Sequence, residues 1–152
     1  MNNEQQLREI CQFINRERVL TLSVAAEGMV WSASCFYQFQ KEQMVLYLMS
    51  DINSRHSQLM LKAPIVSGTI ISSVKSMMSM KGMQYLAHIT PLCAEEEQQA
   101  RNFYCKRYPI SRVMDLKIWQ LQLMEIKFTQ RFMGMKRCLH WLRTPKLETY
   151  TQ

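Results

Sequence analysis

The chain has 152 residues, of which 47% are hydrophobic and 20% are charged, and this composition excludes an intrinsically disordered protein. Lys and Arg number 19 against 12 Asp and Glu, and the net charge of +7 directs attention to anionic partners such as nucleic acid, phosphorylated small molecules or a membrane face. The length predicts one domain over 1–152, and the polar start without a signal peptide predicts a cytoplasmic protein without a membrane partner.

The first predicted element is an amphipathic helix over 3–16. Apolar side chains recur there at helical spacing, on Leu7, Ile10, Cys11 and Ile14. Asn3 followed by Gln6 resembles a capping box and marks the start of this helix.

Three strands are predicted next, over 19–26, 29–39 and 44–50. The first alternates apolar and hydroxyl side chains, and the third is a nearly continuous apolar run. Glu27–Gly28 forms a tight turn between the first two strands, because glycine tolerates a positive φ. Strands this close in sequence predict an antiparallel meander.

In the rest of the chain, predicted helices alternate with further predicted strands. The predicted elements are a helix over 54–62, strands over 65–72 and 78–92 with a bend or bulge at Gly82, a peripheral helix over 94–107, a helical turn over 111–116, strands over 118–128 and 131–142, and a polar tail over 144–152. These six or seven strands lie mostly in neighbouring pairs, which predicts an α+β fold, mostly antiparallel, built as a barrel with peripheral helices.

Several kinds of site are excluded by spacing. The four glycines form neither a dinucleotide-binding GxGxxG pattern nor a phosphate-binding P-loop. The five cysteines form no CxxC pair, so reduced thiols are predicted rather than disulfides or a metal site.

One segment, 50–57, has the residues that a phosphate group needs. It lies between an apolar strand and a helix start, where free backbone N–H groups meet serine hydroxyls, Arg55 and His56. An arginine fork can bind two phosphate oxygens at once. Asp51 is expected to cap the helix, and an ordinary helix cap with Arg55 facing solvent is the alternative interpretation of the segment.

The order of these segments resembles a known superfamily. Leu20–Val24 with its Glu-Gly turn, Trp31–Tyr37, Leu46–Ser50 and Ser54–His56 are similar to the FMN-binding split barrels related to pyridoxamine phosphate oxidase. More narrowly, the chain resembles the small YhbP-like family of bacterial proteins, in Met49–Asp51, Arg55–His56, Lys81–Gly82, Tyr104–Cys105 and Trp119–Leu121.

The resemblance implies a six-stranded split barrel, a homodimer and an FMN groove at the subunit interface. It implies that Arg55 meets the FMN phosphate, that the flavin ring rests along the second strand, that Lys81 is a second cation and that Trp119 covers the site from the other subunit. The cofactor-binding residues so implied are Trp31, Ser32, Ala33, Ser34, Ser50, Ser54, Arg55, His56, Lys81 and Trp119. The implied activity is that of a flavin-dependent oxidoreductase, whose redox chemistry belongs to the flavin.

Two alternatives accompany this prediction. The second half of the chain carries most of the excess charge, so Arg101–Lys146 could serve a non-catalytic module that binds nucleic acid or another anion. The barrel could also be a dimeric scaffold with a degenerate flavin site. Thirteen methionines, clustered around 77–83 and 133–135, predict either adaptable packing or a flexible ligand pocket.

Overall fold

Alternating apolar side chains arrange seven strands around one core in the computed structural model, which describes residues 1–74 and 76–144. The strands are β1 (Val19–Ala26), β2 (Met29–Gln40), β3 (Val45–Ser50), β4 (Ile65–Ile71), β5 (Lys81–Pro91), β6 (Lys117–Phe132) and β7 (Met135–Leu142). The α-helices are α1 (Asn3–Arg16), α2 (Arg55–Lys62) and α3 (Ala94–Arg107), and short 3₁₀ helices span Met77–Ser79 and Pro109–Val113.

All strand pairs are antiparallel, in the order β3-β2-β1-β4-β5-β6-β7. An additional pairing of β3 with β6 closes the first six strands into a barrel. The seventh strand extends from β6 as a hairpin outside the closed ring. The predicted α+β fold with a six-stranded barrel is therefore confirmed, and so is the β1–β2–β3 meander.

The core fills the barrel and extends under two helices. Leu20, Leu22 and Val24 of β1 alternate inward, as the sequence pattern predicts. α1 and α2 contribute apolar side chains to the same cluster, whereas α3 covers a second cluster on the outside of β6. At Ile118 and Trp119, β6 is consequently buried on both faces.

The boundaries differ from the predictions at several elements. β6 runs on to Phe132 and β7 begins at Met135, so their turn lies at 133–134, and the second 3₁₀ helix spans Pro109–Val113 rather than 111–116. The capping box is formed by Asn2 and Gln5, one residue before the predicted pair. β5 begins at Lys81, and its irregularity lies between Leu86 and Ala87 rather than at Gly82. Lys75 and 145–152, which include most of the predicted tail, lie outside the described residues.

Because Gly68 of β4 has no side chain, a tyrosine hydroxyl of β5 can pass it and reach the backbone of β1. The hydroxyl of Tyr85 on β5 donates to the backbone carbonyl of Thr21 on β1 at 2.6 Å. A Cβ on Gly68 would lie 1.9 Å from that carbonyl oxygen and 2.3 Å from the tyrosine oxygen. The absence of a side chain at Gly68 is thus a condition for this contact between three strands.

The five cysteines are free thiols, with Cys93 and Cys138 exposed and the others buried. Burial raises the pKa of Cys35 to about 11, so this thiol stays protonated. No helix within residues 1–74 and 76–144 has the length and apolar character needed to cross a membrane.

Candidate functional site

Short-range side-chain bonds build the connection between β3 and α2. Oδ1 of Asp51 accepts from the backbone N–H of Asn53 at 2.9 Å and shapes the turn. Ser54 is the N-cap of α2, and its Oγ accepts from the N–H of Ser57 at 3.3 Å. The expectation that Asp51 caps the helix is wrong, because that carboxylate is used within the preceding turn.

Four side chains around this cap form one hydrogen-bonded cluster. Oγ of Ser50 lies 2.6 Å from Nε2 of His56 and 3.3 Å from Oγ of Ser57. Oγ of Ser54 lies 2.8 Å from Oγ of Ser57 and 3.3 Å from the same imidazole nitrogen. Burial lowers the pKa of His56, so its ring is neutral at neutral pH. Because Ser50 and Ser57 are buried, the cluster fixes the β3–α2 connection, and Arg55 is left facing solvent.

Arg55, the first residue of α2, rests on an aromatic ring. Its guanidinium carbon lies 4.4 Å from the ring centroid of Trp31 on β2. A cation–π contact at an exposed site stabilises by about 0.5–1 kcal/mol, which is enough to orient the side chain. Among the described residues no carboxylate lies within ion-pair distance of Arg55, so its donors are available to an anion.

The pleat of β2 divides the four predicted cofactor residues of this strand between its two faces. Trp31 and Ala33 lie on the side that faces the core, with Trp31 still 42% exposed at the barrel end. Ser32 and Ser34 are exposed on the outer side. The structure therefore brings Trp31 into contact with Arg55 of α2. Ser32 and Ser34 lie on the opposite face of β2.

The outer side carries a flat area of hydroxyl groups on β1, β2 and β4. Oγ of Ser23 lies 2.8 Å from Oγ of Ser32, and Oγ1 of Thr21 lies 2.6 Å from Oγ1 of Thr69. Ser34 is directly opposite Thr21 in the strand register. We call this area the hydroxyl face. Exposed apolar side chains border it, on Val19, Val30, Phe36, Ile65, Ile71 and Leu86.

The threonines and Ser23 of the hydroxyl face were not among the predicted site residues. The polar side of the β1 alternation was the sequence signal for Thr21 and Ser23. Nothing in the sequence indicated that β4, which is distant along the chain, would lie beside β1 and add Thr69.

Lys81 lies apart from Arg55 within the chain. It begins β5 and lines a cleft of about 510 Å³ together with Glu9 and Arg16 of α1 and Gln130 of β6. A second cleft beside it shares Lys81 and Gln130. In the single chain, the predicted second cation is therefore in a different surface region from the α2 cation.

Trp119 does not cover a site on another subunit, and that expectation is wrong. The side chain is fully buried in the barrel of its own chain. Its indole N–H donates to the backbone carbonyl of Ser50 at 3.4 Å. Trp119 thus supports the end of β3 that leads into the phosphate-like segment.

Several cations of the predicted basic region are engaged within the fold. Arg101 and Lys117 contact Glu97 at 3.1 and 3.0 Å. Burial opposes ionisation of Glu97, but hydrogen bonds from these two cations lower its pKa overall. Arg107 and Arg143 donate to backbone carbonyls of neighbouring elements. These four side chains stabilise the barrel, which weakens the nucleic-acid alternative.

No family model matches the chain. A UPF0306 protein of Yersinia pestis is 42% identical over 147 residues, which cover 97% of this chain and 100% of the relative. A UPF0306 protein of Yersinia pseudotuberculosis has the same identity and coverage.

Solved structures share the fold at low sequence identity. Campylobacter jejuni ChuZ superposes with a TM-score of 0.72 at 15% identity, over 91% of this chain and 61% of that one. A heme binding protein from Mycobacterium smegmatis gives 0.70 at 15% identity, over 91% and 58% of the two chains. An FAD-binding protein from Mesorhizobium loti gives 0.67 at 13% identity, over 78% and 90%.

Proposed function

The chain belongs to the UPF0306 family, and we propose that it binds FMN at the rim of the barrel, with Arg55 as the phosphate ligand. The observation that carries this proposal is the contact of the Arg55 guanidinium with the Trp31 ring, 4.4 Å from its centroid. This contact holds the Arg55 guanidinium beside β2, a strand with small side chains. Among the described residues, Arg55 has no carboxylate partner. The narrower YhbP-like assignment remains a prediction.

The donors around Arg55 fit a phosphate group. The guanidinium offers a planar fork for two oxygens, and the start of α2 adds free backbone N–H groups and the positive end of the helix dipole. The first turn of α2 contains no acidic residue that would oppose an anion. The buried hydroxyls of Ser50 and Ser57 hold this arrangement in place rather than binding the ligand themselves.

The hydroxyl face fits the flat, polar edge of an isoalloxazine ring. Ser32 follows Trp31 on β2 but lies on the opposite face of the strand, so a ring on the hydroxyl face would meet Arg55 around the rim of the barrel, where Trp31 is exposed. Small side chains let a planar group approach the backbone, and hydroxyl groups can both donate to and accept from its carbonyls and nitrogens. The flavin would supply the redox chemistry of an oxidoreductase, and the residues described above would bind and orient it.

The proposal includes a homodimer. The hydroxyl face is bordered by exposed apolar side chains, and a flat area of this kind is typical of an interface between proteins. A second copy packed there would add the wall that a single barrel lacks and would enclose the ring.

At this rim, flavin is favoured over heme by the hydrogen bonds of His56, the histidine of the β3–α2 connection. Heme iron needs an axial ligand, commonly an imidazole. Nε2 of His56 is already within 2.6 Å of the Ser50 hydroxyl and 3.3 Å of the Ser54 hydroxyl. The solved relative named as FAD-binding is consistent with a flavin in this fold.

The test is a titration of the purified full chain with FMN, followed by quenching of flavin fluorescence. We expect saturable binding, and Arg55→Ala should weaken it by about 1.5–3 kcal/mol, or roughly 10- to 150-fold, because a charge-assisted hydrogen bond is lost. Arg112→Ala is the matched control, since Arg112 is exposed on the 3₁₀ helix away from this rim.

Riboflavin distinguishes a phosphate contact from a general loss of structure, because it has the ring but no phosphate. Arg55→Ala should leave riboflavin binding nearly unchanged. Absence of FMN binding at tens of micromolar, or equal weakening of both ligands, would contradict the proposal.

A further inference from the structure

The two methionine clusters of the sequence meet at one end of the molecule. Met78 of the 3₁₀ helix lies against the β6–β7 turn, where a Cβ on Gly134 would be 3.6 Å from its Cε. The backbone N–H of Arg131 donates to the carbonyl of Met80 at 2.9 Å and ties the two segments together. Met133 and Gly134 both have positive φ, which gives a tight hairpin turn that projects from the barrel.

The side chains at this end are apolar and strongly exposed. We call them the methionine tip: Met77 (86% exposed), Met78 (57%), Phe132 (70%), Met133 (75%) and Met135 (71%). Single exposed apolar residues are common on protein surfaces, but a contiguous group of them is typical of a contact surface for another molecule.

Cations surround the methionine tip. Lys81, Arg131 and Lys136 line one cleft with Phe132 and Met135. Residues 76–82 and 130–137, the two segments that carry the tip and these cations, contain no Asp or Glu. Arg137 is paired with Glu9 of α1, but Arg131 and Lys136 have no carboxylate partner among the described residues.

We propose that the methionine tip docks on an anionic lipid bilayer, contrary to the sequence-based expectation that the protein has no membrane partner. Flexible thioethers and a phenyl ring enter the boundary between head groups and acyl chains, and the three cations meet the lipid phosphates. An apolar tip within a collar of lysine and arginine is complementary to this surface in both charge and polarity, and anionic lipids attract each such cation.

A bilayer fits these observations better than a protein or a nucleic acid. The tip projects from a hairpin beside an open cleft, and four of its five side chains are flexible methionines rather than rigid anchors. Nucleic acid would meet the cations but would leave five exposed apolar side chains in water.

Co-sedimentation with vesicles tests the proposal on the full chain. We expect binding to phosphatidylcholine vesicles that contain about 30% phosphatidylglycerol and little binding to phosphatidylcholine alone, because the attraction depends on anionic head groups. Raising the salt concentration should weaken the binding.

Paired variants separate the tip from other exposed residues. Phe132→Ser and Lys136→Gln should each lower the partition coefficient by about fivefold or more. Ile110→Ser and Lys106→Gln are the matched controls, since both are exposed but lie far from the tip in the fold, on the second 3₁₀ helix and on α3, and they should stay within about twofold of wild type. Met133→Asn is a second tip variant that keeps the turn, because asparagine tolerates the positive φ.

The outcomes show whether the methionine tip contacts a lipid bilayer or a second copy of the chain. Equal binding to neutral vesicles, no binding to anionic ones, or equal losses in tip and control variants overturns the proposal. Light scattering on the same variants identifies the other occupant: if the tip variants separate a dimer and no protein sediments with lipid, the tip contacts a second copy instead.

Discussion

His56 couples the stability of the chain to pH. Burial lowers its folded-state pKa below the ordinary value of 6.5, so the folded protein binds fewer protons at this site than the unfolded chain. The neutral imidazole contributes its full stability above the ordinary pKa of 6.5, and this stability is lost as the pH falls through the folded-state pKa. The hydroxyl cluster around α2 is therefore the first part of the site that acid should disturb.

We expect the urea midpoint of the wild type to fall between about pH 8 and about pH 5 more steeply than that of His56→Gln. The variant keeps a polar group beside Ser50 but cannot titrate. His140→Gln is the control, because His140 is exposed on β7 and its removal should leave the wild-type slope. An unchanged slope in His56→Gln would show that another group sets the acid response.

Arg55 and Trp119 mark what the sequence could and could not predict for single residues. The position of Arg55, after a strand and a serine cap, follows from local patterns, and the structure puts it at the start of α2. Trp119 follows the apolar Ile118, and a strand with two neighbouring apolar residues has no polar side to orient it. Only the cover that α3 provides over Ile118 explains why Trp119 faces the barrel interior.

At the scale of elements, β4 and β5 depend on a missing side chain. Gly68→Ala should lower the free energy of unfolding by about 2–3 kcal/mol, because the added Cβ meets a backbone carbonyl and displaces the Tyr85 hydroxyl. Urea denaturation measures the change.

Gly82→Ala is the matched control on the neighbouring strand. The nearest atom to its added Cβ is 3.9 Å away, so the variant should be neutral or stabilised by less than about 1 kcal/mol. Equal destabilisation of the two variants would mean that the close approach at Gly68 is not the cause.

Local periodicity predicted α1 and β1–β3 almost to the residue, but it failed at the start of β5. The methionine-rich run before Lys81 has the apolar character of a strand and predicts one from residue 78. In the structure its partner β4 ends at Ile71, which is opposite Gly82, so the run has no strand to pair with on that side, and Met80 keeps only a backbone hydrogen bond from Arg131 of β6. A strand boundary is set by the partner, and the partner is not visible in the run itself.

At the scale of the whole molecule, the proposed dimer gives the hydroxyl face a measurable role. Ser34→Glu introduces a charge at the centre of that face, so we expect light scattering to report twice the chain mass for the wild type and the single chain mass for this variant. Asn102→Glu is the control, because Asn102 is exposed on α3 and should leave the mass unchanged. A wild-type chain that is monomeric at all concentrations would contradict the dimer.

The closure of the barrel by β6 has a consequence for biosynthesis. The edge of β3 runs from Val45 to Ser50 and pairs with Gln122 to Lys117 of β6. While the ribosome extends the chain, β3 emerges early and its free edge has no partner until β6 follows. During that interval the nascent chain presents a nearly continuous apolar strand with unpaired backbone groups, and such an edge is prone to aggregation. The long-range β3–β6 pairing should thus be the slow, late step of folding, and the vulnerability of this protein to aggregation should peak before its synthesis is complete.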